Sequence, residues 1–158
     1  MNHYIFDLDD TLILHRNDIN YHWMTENKEL SHYLDKCKGT KYIYTNGTLE
    51  HAELVLDKMN LTDKFHKVYA RDTETIRKMK PHILSALDVH RDIMTSDDDK
   101  FIFFDDLHEN LRTGNLLKWT TVWISPNHEL HRDYDYVDRA YPNIVDALKD
   151  IQDNGVMD

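Results

Sequence analysis

The sequence predicts an α/β protein: a three-layer α/β/α, Rossmann-like domain on a parallel sheet of about five strands. Two observations lead there. Short apolar runs alternate with longer amphipathic stretches along the chain, the order that strand–helix–strand crossovers produce. In addition, "YIF", "FIFF" and "TVWI" are nearly unbroken apolar runs, as strands covered on both faces require.

In chain order, the strand candidates are "HYIFDL" (3–8), "KYIYT" (41–45), "KVYA" (67–70), "FIFFD" (101–105) and "TTVWIS" (120–125). Each is short, rich in β-branched or aromatic residues, and closed by a polar or turn residue. Between the first two, "NYHWMTENKELSHYLDKCK" (20–38) sets Trp23, Leu30, Tyr33, Leu34 and Cys37 at helical spacing. "LEHAELVLDKMN" (49–60) repeats that spacing with Ala52, Leu56 and Met59, and Thr48 before it suits an N-cap. "TETIRKM" and "HILSALDVH", on either side of Lys80-Pro81, predict one or two helices with the proline in a first turn. "LHENLRTGNLLK" (107–118) and "YPNIVDALKDIQD" (141–153) complete the helices. No boundary divides the chain, so residues 1–158 read as one domain, with a flap and first helix at about 11–38 and a less regular segment from about 126 to 158. Within that segment, 126–141 shows the least pattern.

Composition narrows the partners. The chain has 158 residues, 41% of them hydrophobic, enough for one domain with a real core. A formal net charge of −10 disfavours nucleic acid or an anionic membrane, which would be repelled at long range. A small phosphorylated substrate stays compatible, because a metal ion reverses the local potential. Cys37 is the only cysteine, which excludes an intrachain disulfide and a cysteine zinc site. No apolar run approaches the roughly 20 residues of a membrane span, and "MNHYIFDL" lacks the pattern of a signal peptide. The expectation is a soluble, cytoplasmic protein.

In parallel sheets, ligands bind outside the carboxyl ends of the strands, where strand order reverses. Four strand candidates bring polar residues to that rim: Asp7, Asp9 and Asp10; Thr45-Asn46-Gly47; Asp105 and Asp106; and Ser125. Carboxylates this crowded are stable only if water or a cation sits among them. Two acidic clusters on one rim make an all-oxygen site suited to Mg²⁺. An ionised carboxylate in such a site can attack phosphorus, while the metal and a lysine neutralise the phosphoryl oxygens. Thr45 and the "NG" turn supply a hydroxyl and amides. Lys80, beside Pro81, is the best-placed lysine, with Lys78 as the alternative.

These residues resemble a known family. "DLDDTL" (7–12) is similar to motif I of the haloacid dehalogenase-like (HAD) superfamily, "YIYTNG" (42–47) to motif II, "KMKP" (78–81) to motif III, and "FIFFDDLHEN" (101–110) to motif IV. The motifs stand in the family's order, and the resemblance spans about residues 3 to 126. The segment "YTNGTLEHAELVLDKMNLTDKF" also resembles the branch that holds pyrimidine 5'-nucleotidases. The resemblance implies a Mg²⁺-dependent phosphatase that works through an aspartyl-phosphate. In it Asp7 is the nucleophile and a metal ligand, and Asp9 is the general acid and base whose main-chain carbonyl also binds metal. Thr11 orients the loop; Thr45, Asn46 and Gly47 bind the phosphoryl group; Lys80 pairs with Asp7 and the phosphate. Asp106 is the direct metal ligand with Asp105 behind it, the two being open to exchange, and Asn110 supports their loop. An aspartate at position 9 points to rapid hydrolysis, since dehalogenating relatives lack this acid and transport ATPases carry threonine there; phosphotransfer stays open.

The intervals from Asp7 to Thr45 and from Thr45 to Lys80 are already filled by predicted elements, which leaves no room for a separate cap domain. This departs from the capped nucleotidases. Substrate recognition would then fall to the flap "ILHRNDINYHW" (13–23), with His15, Arg16 and Tyr21. The favoured substrate is a small phosphomonoester such as a nucleoside monophosphate; a phosphoprotein is the alternative, a homo-oligomer is open, and a non-catalytic binding module is the competing class. The 11 histidines are scattered and read as structural or solvated, His108 among them, and Trp119 and Trp123 read as packing.

Overall fold

The computed structural model describes residues 1–14 and 27–155. Within them the chain runs β1 (Asn2–Phe6), α1 (Lys28–Asp35), β2 (Thr40–Tyr44), α2 (Leu49–Lys58), β3 (Lys67–Tyr69), α3 (Ile83–Ile93), β4 (Lys100–Asp105), α4 (His108–Leu116), β5 (Thr120–Ile124), β6 (Arg139–Tyr141) and α5 (Ile144–Asn154). The strands form one six-stranded sheet in the order β3-β2-β1-β4-β5-β6, with every neighbouring pair parallel. The α/β class and the layering are those the sequence predicts. The sheet has one strand more.

β1 takes the centre because it is apolar on both faces. Tyr4 and Phe6 point to one side of the sheet and Ile5 to the other, as the two-residue period of a strand dictates. β4 alternates in the same way, with Ile102 and Phe104 on the first side and Phe101 and Phe103 on the second. Helices α1, α2 and α5 cover the first side through Leu30, Leu34, Val55 and Leu148, while α3 and α4 cover the second through Ala86, Val89 and Leu111. The Phe6 and Phe104 rings stack with centroids 4.7 Å apart. Burying a side chain of this size contributes roughly 1.5–3 kcal/mol, so the pair fixes β1 against β4. Strand order reverses there.

Two expectations need correction. The sixth strand falls inside 126–141, the stretch with the least pattern. Three half-buried residues are too few for any periodicity to show. β6 pairs with β5 through the backbone, and side-chain bonds just before it add to the ladder: the Thr121 N–H donates to Asp138 Oδ2 at 2.8 Å, and the Asp138 N–H to Thr121 Oγ1 at 3.0 Å. The second correction concerns 73–82. "TETIRKM" is not helical, and Pro81 precedes the His82 N-cap of a single helix, α3. Its backbone donors are spent elsewhere: the Arg77 N–H goes to Asp88 Oδ2 and the Lys80 N–H to Asn46 Oδ1. Thr48 caps α2 as expected, accepting the His51 N–H. Of the predicted helix at 20–38, only the part from α1 onward lies within the described residues, and the flap positions His15, Arg16 and Tyr21 lie outside them. Among the described residues, no helix is long and apolar enough to cross a membrane.

The second side of the sheet carries a titratable group. Gly114 lets α4 come close, since a methyl group there would stand 3.1 Å from both Phe103 and Trp119. The Trp119 indole N–H donates to His90 Nδ1 at 3.0 Å, and the His90 ring stacks on Phe101 with centroids 4.5 Å apart. Nδ1 must therefore be unprotonated. Burial first, and the Arg91 charge second, lower the His90 pKa. The unfolded chain thus takes up this proton first, and the stability from neutral His90 is lost as pH falls through its unfolded value of about 6.5. We predict that lowering the pH from 7.5 to 5.5 reduces wild-type stability more than that of His90→Gln. Urea unfolding at both pH values checks this, and equal losses would refute it.

Candidate active site

Motif I begins where β1 ends. The Asp7 N–H continues the ladder by donating to Phe104 O at 2.9 Å, and the chain then folds over Leu8. The Leu8 carbonyl accepts from Leu12 and Ile13 N–H at 3.1 and 3.2 Å. Asp10 takes a left-handed conformation, φ 62°, which aspartate tolerates better than most residues. This turn gives the three crowded carboxylates different exposure. Asp7 points into the protein, Asp9 is half-buried at the cleft, and Asp10 is exposed. It also brings Thr11 back beneath Asp7, where Oγ1 donates to Asp7 Oδ2 at 3.0 Å.

Motif III meets motif I from the other side. Lys80 is buried and Lys78 exposed, which distinguishes the two candidates. The Lys80 ammonium donates to Asp7 Oδ1 at 2.9 Å, Asp105 Oδ2 at 2.8 Å and the Tyr44 carbonyl at 2.9 Å. Its three donors are thus all used. Asn46 fixes the lysine's backbone from both ends: its Nδ2 donates to Lys80 O at 3.0 Å, and its Oδ1 accepts the Lys80 N–H at 2.8 Å. That side chain is committed to motif III, which leaves Asn46 its main chain for a phosphoryl group. Thr45 Oγ1 accepts the Gly47 N–H at 3.0 Å, so its own hydrogen stays available to donate.

Motif IV closes the site. Asp105 is fully buried; Oδ2 also accepts from Asn110 Nδ2 at 3.1 Å, and Oδ1 accepts the Leu107 N–H at 2.9 Å. Asp106 lines the cleft and Asp105 does not. Asp7, Asp9, Thr45, Lys80, Asp106 and Leu107 are among the residues lining this cleft of about 200 Å³. Burial pushes the Asp105 carboxyl up to about 6, with Lys80 pulling against it and Asp7 adding to it. Burial, the Asp7 contact and the Asp105 charge push Asp106 up to about 8. Burial works against the Lys80 charge, yet Asp105 and Asp7 outweigh it and hold the ammonium above its ordinary pKa. Among the described residues, one ammonium faces the three carboxylates of Asp7, Asp105 and Asp106, a deficit of positive charge.

This deficit is the test of metal fit. One oxygen each from Asp7, Asp105 and Asp106 lies within 4.8 Å of the others. A set of hard carboxylate oxygens short of positive charge suits Mg²⁺. Asp7 and Asp106 are the side chains open to it, with Asp105 behind them.

No family model and no curated protein matches the chain. Solved structures do. L-2-haloacid dehalogenase from Xanthobacter autotrophicus, with chloropropionic acid covalently bound, superposes with a TM-score of 0.63 at 16% identity, covering 81% of this chain and 61% of that one. The candidate HAD-hydrolase YfnB of Bacillus subtilis, bound to magnesium, gives 0.62 at 17% identity over 80% of this chain and 55% of that one. The core domain of a candidate phosphoglycolate phosphatase from Streptococcus pneumoniae gives 0.57 at 18% identity, covering 97% and 96%. This chain has the HAD-like fold. It spans about three fifths of the length of the dehalogenase.

Some residues that the HAD-like fold brings to the rim escape sequence reasoning. His51 Nε2 lies 2.9 Å from Asp9 Oδ1. Its signal was its place in the first turn of α2, three residues after the cap, but among many scattered histidines that did not stand out. His108 is not solvated: it stacks on Tyr134 at 3.9 Å and shares a 2.6 Å hydrogen bond with the Tyr136 hydroxyl. Trp123 packs as expected, and its indole N–H also donates to the Asp106 carbonyl at 2.8 Å.

Replacing Lys80 by methionine leaves Asp105 buried without its counter-charge, a loss of the kind that costs about 3–5 kcal/mol. We predict that Lys80→Met falls in that range at pH 7 and that adding Asp105→Asn restores at least half of it. Denaturant unfolding of the double-mutant cycle checks this. A Lys80→Met loss below about 1 kcal/mol would show that the pair contributes little.

Proposed function

We propose that this chain is a Mg²⁺-dependent phosphatase that hydrolyses phosphomonoesters through an aspartyl-phosphate on Asp7. One observation carries the reading: a carboxylate held from behind by Lys80 and Thr11 lies at a cleft shared with a second, half-exposed carboxylate and a threonine turn. A buried ion pair alone would be structural. The combination with Asp9 and Thr45 supplies an attacking group, a proton carrier and a phosphoryl cradle.

The sequence of events follows from these positions. The Thr45 hydroxyl and the turn amides hold the phosphoryl oxygens. An Asp7 oxygen attacks phosphorus as the ester P–O bond breaks, and Asp9, protonated, gives its proton to the leaving oxygen. After the alcohol departs, Asp9 takes a proton from water as that water attacks phosphorus. The bond to Asp7 breaks, phosphate leaves, and both aspartates are restored. Lys80, donating to Asp7 Oδ1 at 2.9 Å, keeps the attacking carboxylate oriented. Bound Mg²⁺ supplies positive charge that offsets the phosphoryl oxygens against the carboxylates.

The cleft of about 200 Å³ has room for a phosphoryl group. We favour a small phosphomonoester such as a nucleoside monophosphate, on the likeness of "YTNGTLEHAELVLDKMNLTDKF" to the pyrimidine 5'-nucleotidase branch, with a phosphoprotein as the alternative. We also propose that residues 1–158 act as one domain without a separate cap. The match of nearly the whole chain to an isolated core domain supports this.

Phosphate release from nucleoside monophosphates, sugar phosphates, phosphopeptides and an aryl phosphate, each with Mg²⁺ and with excess chelator, tests the proposal. Chelator should abolish release, and Asp7→Asn should lower it on the order of 10³-fold or more while far-UV circular dichroism stays unchanged. Turnover by Asp7→Asn at the normal rate would rule the mechanism out.

A further inference from the structure

His51 is tied to the site by backbone as well as by side chain. It occupies the first turn of α2, which starts directly after the Thr45–Gly47 turn, and its N–H is fixed by Thr48 Oγ1 at 3.2 Å. The ring therefore enters from the same turn that forms the proposed phosphoryl cradle. Its Nε2 meets Asp9 Oδ1 at 2.9 Å, and since a carboxylate only accepts, Nε2 is the donor. Asp9 Oδ2 is directed toward the cradle: a methyl group on Gly47 would stand 3.7 Å from it. The same methyl group would crowd the His51 ring, 3.2 Å from Cδ2. Glycine at 47 is what lets the ring and the carboxylate meet beside the turn.

The two oxygens of Asp9 thus have different surroundings. Oδ1 is engaged by His51 and Oδ2 faces the place where the ester would lie. The transfer of a proton needs the Asp9 side chain in one of its staggered conformations. We propose that His51 is the positioning residue for proton transfer by Asp9, selecting Oδ2 as the oxygen that carries the proton. This rests on the phosphatase reading above. The contact serves both halves of the reaction. With Asp9 protonated on Oδ2, Oδ1 still accepts from His51 as the proton passes to the ester oxygen and the P–O bond breaks. With Asp9 ionised, the same bond holds Oδ2 in place to take the proton from the attacking water.

A role of this kind has a signature that loss of stability lacks. An alkyl phosphate needs its leaving oxygen protonated, whereas p-nitrophenyl phosphate releases a stable anion and does not. With Mg²⁺ present, His51→Ala should lower kcat for the alkyl ester roughly 10- to 100-fold and that for the aryl ester less than about threefold, with KM little changed for both. His51→Gln, whose amide can donate to Oδ1, should recover part of the alkyl loss. Equal losses on the two esters, or none, would overturn the inference and leave the phosphatase reading standing. If the wild type turns over neither ester, the phosphatase reading falls, and the role falls with it. A readout apart from turnover tests the contact directly. The His51 Nε2–H signal in ¹⁵N–¹H NMR should be present in the wild type and lost in Asp9→Ala; an unchanged signal overturns the contact and the proposal together.

Discussion

The rim of this protein is organised around one buried ammonium. Lys80 Nζ is shared among Asp7, Asp105 and the Tyr44 carbonyl, and it comes from a segment with no regular secondary structure of its own. Taking an ammonium and two carboxylates out of water costs several kcal/mol per ion. That cost is offset only where every donor has an acceptor at good distance, and here each of the three does. The Tyr44 ring, its centroid 5.0 Å from Nζ, adds an aromatic face to the same cation. The surrounding structure serves this geometry. Asn46 holds the lysine's peptide groups at both ends, and Asn110 and the Leu107 N–H hold Asp105.

The sheet makes the arrangement reachable. β1 and β4 are neighbours although β2 and β3 lie between them in sequence, so motif I and motif IV end side by side. The in-register pairing of Phe6 with Phe104 places Asp7 next to Asp105. Like charges that close would separate in an open loop. They are kept together by two stacked phenylalanines beneath them, whose burial does not depend on the charges. The apolar layers hold the carboxylates, and the lysine makes that position tolerable.

How much of this was legible in the sequence depends on the length scale of the signal. Strands such as 101–105 show as apolar runs because both faces are covered. The acidic and threonine residues that follow them mark the rim because parallel strands end on one side. β6 was not legible, since three half-buried residues carry no period and its pairing with β5 is made by the backbone. The turn at 73–79 reads as helix by composition, but the Arg77 N–H goes to Asp88, eleven positions on, and no local pattern reports that. His51 is the clearest case among the site residues. Its partner is 42 positions away, and only the turn of the chain over Leu8 brings Asp9 within its reach. Residues whose role is set by their own strand end are readable. Those set by a contact between two loops are not.

Asp7 and Asp9 are two positions apart and end in opposite environments, and that difference gives the proposed chemistry its direction. Asp7 is buried, paired with a cation and bonded to a threonine, which together hold it in one orientation. Asp9 is half-exposed and touches a histidine, a partner that accommodates both the acid and its conjugate base. The strained conformation of Asp10 lies directly after Asp9 and lets the chain turn between these environments. Such strain is retained where surrounding contacts enforce it, and here the Leu8 carbonyl and the buried Thr11 do so. The charge deficit then sets the condition for binding. A chain of net charge −10, with more carboxylates than cations among the described residues of its cleft, repels a phosphate ester until another cation joins the site. On the proposed reading, affinity for substrate and affinity for metal are therefore one coupled property. The ester is drawn in by the charge that Lys80 alone does not supply.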